Sequence, residues 1–125
     1  MKLLLDTPPL FWWLVCDTRL PDRVGDLIAD PSHPVFASAV SYYELHYKGH
    51  LGKLPSAVLK LGPAIRDCGF LPLSISIDHA AHAGSLAWDH RDPWDRLLAA
   101  QARLEKCVLV SSDAVFDGLD LDRLW

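Results

Sequence analysis

"HRDPWDRLLAAQARLEKCVLVSSD", residues 90–113, reads as a helix delivered straight into a strand, with acids at both ends. Pro93 suits the first turn of a helix, where its missing N–H has no helical partner, and the alanine-rich run carries that helix to Lys106. "CVLVSSD" at 107–113 is then a short continuous apolar run, suited to a strand covered on both faces. Helix feeding buried strand is the repeating unit of an α/β domain with a mainly parallel sheet.

The rest of the chain repeats that alternation. "KLLLD" at 2–6 is a strand of the same kind, and Thr7 to Val15 a helix with its prolines in the first turn. A further helix is expected from Pro21 to Ala29, a strand at "PVFAS" (34–38) and a helix from Val40 to His50. Pro55 to Asp67 reads as helical with a break or kink at Gly62-Pro63, and "FLPLSIS" (70–76) as a third strand. Asp78 is expected to cap a short helix ending near Ala87, and "DLDRLW" at the end holds a short fifth strand at an edge. No repeat or low-complexity segment interrupts residues 1–125, which read as one domain.

Composition excludes several function classes. Half the residues are apolar, and the formal charge is −4, which argues against nucleic-acid binding by blanket electrostatics. A local site, where metal ions supply positive charge, is still open to nucleic acid. Cys16, Cys68 and Cys107 form no C-x-x-C or Cys/His set and read as buried, reduced thiols. The apolar N-terminus is broken by Asp6 and Pro8-Pro9, and no run approaches the roughly 20 residues that span a membrane, so a cytoplasmic protein without membrane contact is expected.

The acids supply the functional reading. Ligands of open α/β sheets sit beyond the carboxyl ends of the strands. Asp6 ends the first strand, Asp113 follows the fourth, Glu44 lies a helical turn beyond the second, and Asp95 opens the helix into the fourth. All four therefore point to one end of one sheet. Clustered carboxylates repel, and a divalent cation reverses that cost. Mg²⁺ or Mn²⁺ takes hard oxygen ligands, polarises a phosphate and lowers the pKa of water, so the set suits phosphodiester hydrolysis better than zinc chemistry.

Each acid also has a structural reading. Asp92-Pro-Trp-Asp95 is a plausible N-cap with Pro at N1, Ser41-Tyr-Tyr-Glu44 a capping box, and Asp6 and Asp113 helix caps. Capping does not require four acids to meet at one sheet edge. No Lys or Arg follows Asp95 at i+3 or i+4, which assigns Asp95 to metal and Asp92 to the cap. Arg96, with His90 and Arg91, is a nearby group able to contact phosphate, and Lys48 and Lys53 make a modest basic turn. Phe11, Trp12, Trp13, Tyr42, Tyr43 and Tyr47 read as core or subunit-interface residues rather than base-stacking ones. The histidines show no ligand spacing.

"LLLDT" (3–7), "ASAVSYYELHYKGHLGKL" (37–54), "HRDPWDRLLAAQA" (90–102) and "LVSSDAVF" (109–116) resemble, in that order, the PIN domain family, and within it the VapC ribonuclease toxins of type II toxin–antitoxin systems. The resemblance implies a three-layer α/β/α sandwich around a parallel sheet of four to five strands and Mg²⁺- or Mn²⁺-dependent endoribonuclease activity. It implies a VapB-like antitoxin, an RNA substrate and a homodimer as partners. Its acidic set maps onto Asp6, Glu44, Asp95 and Asp113, its fourth-motif hydroxyl onto Ser111, and a small polar position onto Thr7. Two departures stand out: "DTPPLFWWL" (6–14) where relatives often have "DTHALLWWL", and "LAWD" (86–89) where a proline is common. An alternative is a PIN-like scaffold that binds RNA or protein without cutting. Phosphoryl transfer through an Asp6 nucleophile ranks last, since no D-x-D follows the first strand.

Overall fold

The computed structural model describes all residues except 56, 57 and 59. Its strands are β1 (Leu3–Leu5), β2 (Val35–Ser38), β3 (Leu71–Leu73), β4 (Val108–Val110) and β5 (Arg123–Leu124). The helices are α1 (Thr7–Leu14), α2 (Asp22–Ala29), α3 (Ala39–His50), α4 (Leu61–Asp67), α5 (Ile77–Ser85) and α6 (Pro93–Leu104), and a 3₁₀ turn covers Ala114–Gly118. The strands form one sheet in the order β3-β2-β1-β4-β5, and every pairing is parallel. Pro72, which has no N–H to donate, sits in β3 at the sheet edge, where the ladder tolerates it.

The strand alternation sorts the core into two layers. Leu3, Leu5, Val35, Ala37 and Val110 face one side and pack with Leu10, Val24, Ile28, Leu45, Leu61 and Ile65 from α1 to α4. Leu4 and Leu109 face the other side and pack with Val40, Leu98, Ala99, Ala102 and Phe116. The result is the expected three-layer α/β/α sandwich. Alanines at 99 and 102 let α6 lie close to the sheet, and α5 packs along α6.

Gln101, fully buried on α6, locks the layers together. Its Oε1 accepts from Ser38 Oγ at 2.6 Å, and its Nε2 donates to the Ser74 carbonyl at 3.2 Å. A buried amide that lost these partners would be costly, so the bonds fix the height of α6 against β2 and β3.

Several local expectations change. α4 starts at Leu61 rather than Pro55, with Gly62 and Pro63 in its first turn; the part of that expectation at 56, 57 and 59 lies outside the described residues. Ser76, not Asp78, caps α5: its hydroxyl accepts from His79 N–H, and His79 Nδ1 accepts from Ser76 N–H. Ser38, not Ser41, caps α3, so Ser41 and Glu44 lie inside the helix and are free for contacts elsewhere. β3 and β4 are three residues each, shorter than the apolar runs that contain them. Only Cys107 of the three thiols is buried; Cys16 and Cys68 are exposed. Cys16 takes the left-handed position (φ 55°) that ends α1, which turns its side chain out of the core.

Candidate metal centre

The sheet changes direction between β1 and β4. From β1 the chain runs outward through β2 and β3, then returns to the other side of β1 to lay down β4 and β5. That reversal opens a crevice at the carboxyl ends of β1 and β4, where open α/β sheets bind ligands. Asp6 and Ser111 emerge there, one residue past each strand.

Asp6 is 7% exposed, and each of its carboxylate oxygens holds one hydrogen bond. One carboxylate oxygen accepts the Thr7 N–H at 2.9 Å, and the other accepts the Ser111 hydroxyl at 2.8 Å. Ser111 Oγ in turn accepts the Asp113 N–H at 3.0 Å, so Ser111 joins the first acid to the last. Burial is the largest influence on Asp6 and raises its pKa from the ordinary 3.8 to about 6. The Ser111 and Thr7 hydrogen bonds oppose that rise, while the charges of Asp95 and Glu44 add to it. Asp6 is thus a buried acid whose fixed surroundings do not compensate its charge.

Thr7 ties the second acid to the first. Its hydroxyl donates to Glu44 Oε1 at 3.1 Å and lies 2.8 Å from Ser41 Oγ. Since Thr7 has one hydroxyl hydrogen, Ser41 is the donor in that contact. Glu44 Oε2 accepts from Lys48 at 3.2 Å, the i,i+4 spacing on α3. The Ser41 position that resembled a cap is therefore part of this tertiary chain of hydroxyls.

Asp95 lies in the first turn of α6, which Asp92 caps by accepting from Trp94 N–H (2.9 Å) and Asp95 N–H (3.3 Å). Burial first, then the nearby Asp92 and Asp113, raise the pKa of Asp95, and a hydrogen bond from His90 opposes them. His90 Nε2 sits 2.6 Å from Asp95 Oδ2. The sequence pattern placed His90 near Asp95 as a group able to contact phosphate and not as its partner, because it sought that partner along the helix at i+3 and i+4; the imidazole arrives from the loop before the cap. No periodic signal marks such a position.

Among the described residues, ligand atoms of His90, Asp92 and Asp95 lie within 4.8 Å of one another, a set able to hold a divalent cation. Asp6, Glu44 and Asp113 stand outside that tight group and are joined to it electrostatically, Asp6 by Asp95 and Asp95 by Asp113. The acid cluster is also not free of histidine, as the composition of the four acids had suggested.

Arg96 does not face the crevice. Its guanidinium donates to the carbonyls of Ala83 (3.1 Å), Leu86 (2.7 Å), Trp88 (2.9 Å) and His90 (3.0 Å). Those four bonds occupy four of its five N–H donors on the end of α5 and the loop behind it. Of the aromatics, Phe11, Trp13 and Tyr42 pack against the core, whereas Tyr43 and Tyr47 are about half exposed and stacked at 5.9 Å. Trp94 meets Tyr43 at 4.9 Å between centroids. No helix among the described residues is long and apolar enough to cross a membrane.

Residues 3–121 match the PIN domain family, and the chain belongs to it. No curated protein sequence matches. Among solved structures, VapBC2 from Rickettsia felis bound to a DNA fragment from their promoter is similar at a TM-score of 0.74 and 19% identity, covering 100% of this chain and 98% of that one. VapBC-1 from nontypeable Haemophilus influenzae gives 0.69 and 19%, covering 99% and 97%. FitAcB from Neisseria gonorrhoeae gives 0.63 and 19%, covering 98% and 96%. At that identity the likeness is one of fold.

Proposed function

We propose that this PIN domain is a Mg²⁺- or Mn²⁺-dependent endoribonuclease, the toxin of a toxin–antitoxin pair. It hydrolyses phosphodiester bonds of tRNA or rRNA in the cytoplasm, acts as a homodimer and is restrained by a VapB-like antitoxin. The observation that carries the reading is Asp6: a buried carboxylate at the sheet's reversal point, raised to about pKa 6 by burial with Asp95 and Glu44 adding to the rise. A cation is the missing compensation. That three similar folds are VapBC and FitAcB structures supports the toxin–antitoxin part.

The donor set fits a hard dication. Asp6, Glu44, Asp95 and Asp113 offer carboxylate oxygens, the chemistry Mg²⁺ and Mn²⁺ prefer. The tighter His90–Asp92–Asp95 group fits less well, because one of its three ligands is an imidazole nitrogen, whereas a hard dication prefers oxygen. We therefore assign the ion to the four acids, with Asp95 common to both groups. When bound, the ion supplies Lewis-acid polarisation of the phosphate and a water of lowered pKa. The chain's own residues hold the charges in place: Ser111 and the Thr7 N–H orient Asp6, the Thr7 hydroxyl orients Glu44, and Asp92 fixes the turn that presents Asp95.

Purified protein incubated with tRNA and rRNA in Mg²⁺, Mn²⁺ or EDTA tests the reading. Cleavage is expected with either metal, none in EDTA, and none from Asp95→Asn. RNA retention without products at every metal concentration would replace the nuclease by a binding module. Absence of metal-dependent cleavage, with Asp6→Asn indistinguishable from the parent chain in cells, overturns it.

A further inference from the structure

We infer that Arg96 and His90 form a brace that positions Asp95 for its cation, with Arg96 acting on the loop and His90 on the carboxylate. This rests on the metal-site reading above. Arg96 directly follows Asp95 on α6, yet its guanidinium turns back and gathers four carbonyls between Ala83 and His90. Two of these, Ala83 and Leu86, belong to the last turn and C-cap of α5, where unpaired carbonyls and the helix dipole favour a cation. The other two, Trp88 and His90, fix the path of the loop that returns to the α6 cap. Planar guanidinium geometry suits such a multi-point clamp, and an ammonium does not reproduce it.

The loop so held delivers one side chain to the site. Asp95 accepts at Oδ2, so His90 Nε2 carries the hydrogen at 2.6 Å. The indole of Trp88 tilts against the His90 ring at 4.9 Å between centroids and limits its rotation, while Phe116 backs Trp88 at 5.7 Å. Gly118 closes the stack, since a Cβ there would stand 3.4 Å from the Trp88 indole nitrogen. With Oδ2 tied, Asp95 has Oδ1 left to face a cation, and its rotamer is set before any ion arrives. Hydrogen-bonded partners of ligating groups orient them in this way, and their loss weakens metal affinity by roughly 10–100-fold. Arg96 therefore touches neither metal nor RNA; it is a positioning residue that works through His90.

Mn²⁺ titration of the metal-free full-length protein, followed by the electron-resonance signal of free Mn²⁺, reads this without any turnover. His90→Ala is expected to weaken Mn²⁺ binding by roughly 10–100-fold, and His90→Gln, whose amide can donate from a similar position, to recover most of it. Arg96→Lys is expected to weaken it by about 10-fold and, on RNA, to lower kcat with KM unchanged. Nitrogen chemical shifts of His90 should show a protonated Nε2 in the metal-free chain and lose that signature in Arg96→Lys. If His90→Ala binds Mn²⁺ like the parent while Asp95→Asn does not, the brace is wrong and the metal site stands. If the parent chain binds no Mn²⁺, both fall. A rise in KM alone for Arg96→Lys would make Arg96 an RNA contact and overturn its assignment.

Discussion

Replacing Asp6 by Asn should make the metal-free protein more stable at neutral pH, although it removes a residue assigned to function. The pKa of about 6, against an ordinary 3.8, means that ionising Asp6 in place costs ~3 kcal/mol relative to the unfolded chain. Asn keeps an oxygen for the Thr7 N–H, but its NH₂ must face Ser111 Oγ, which already accepts from Asp113. That exchange gives back ~1 kcal/mol, leaving a net gain of about 1–2 kcal/mol and ~5 °C in Tm for a domain of this size. The sign depends on pH. Because the folded pKa is raised, the native state holds the extra proton between 3.8 and about 6, so the parent loses stability as pH climbs through that window. Below about pH 4 the Asn variant should melt below the parent by the ~1 kcal/mol of that exchange; the order should reverse as pH climbs through the window, and the gain should reach its full size above about pH 7. Melting curves in EDTA across that range read it directly. Mn²⁺ at ten times its Kd should then lift the parent by ~1.4 kcal/mol and Asp6→Asn by much less. A gap that is the same at every pH, or an Asn variant less stable at pH 7.5, would refute the argument that burial leaves Asp6 uncompensated.

Ser111→Ala removes the hydroxyl bonded to Asp6 and orphans the Asp113 N–H, so unfolding in urea at neutral pH should show a loss of about 1–3 kcal/mol, with the Asp6 pKa moving above its present value. An unchanged Asp6 titration by carboxyl carbon NMR would contradict that. Ser76→Ala deletes the α5 cap and should cost ~1 kcal/mol in the same assay while leaving RNA cleavage intact, since Ser76 reaches His79 rather than the crevice.

The layered α/β/α architecture was legible because each buried strand is a continuous apolar run, and Leu3, Leu4 and Leu5 need cover on both faces. Boundaries were less so. Ser76 and Asp78 are both acceptable caps, and the choice fell to Ser76 because His79 completes the box from N3. The S-x-x-E pattern at Ser41 and Glu44 is a local signature with a tertiary use: Ser41 meets Thr7, 34 residues away, because Ser38 has already started the helix. Strand ends could place Asp6 and Ser111 together, since both follow neighbouring parallel strands. They could not pair His90, named only as a neighbour able to contact phosphate, with the Asp95 carboxylate, since the two have no periodic relation, nor show that Arg96 spends its donors on backbone carbonyls.

One contact also bears on synthesis. The Ser111–Asp6 hydrogen bond spans 105 positions of chain, and β4 must add beside β1 before it can form. A ribosome releases Asp6 first and Ser111 105 positions later, with β2, β3 and α1 to α6 extruded in between. The crevice between those strands is therefore incomplete on every nascent chain that has not yet emitted its fourth strand, and any chemistry housed there begins only once that strand has joined the sheet.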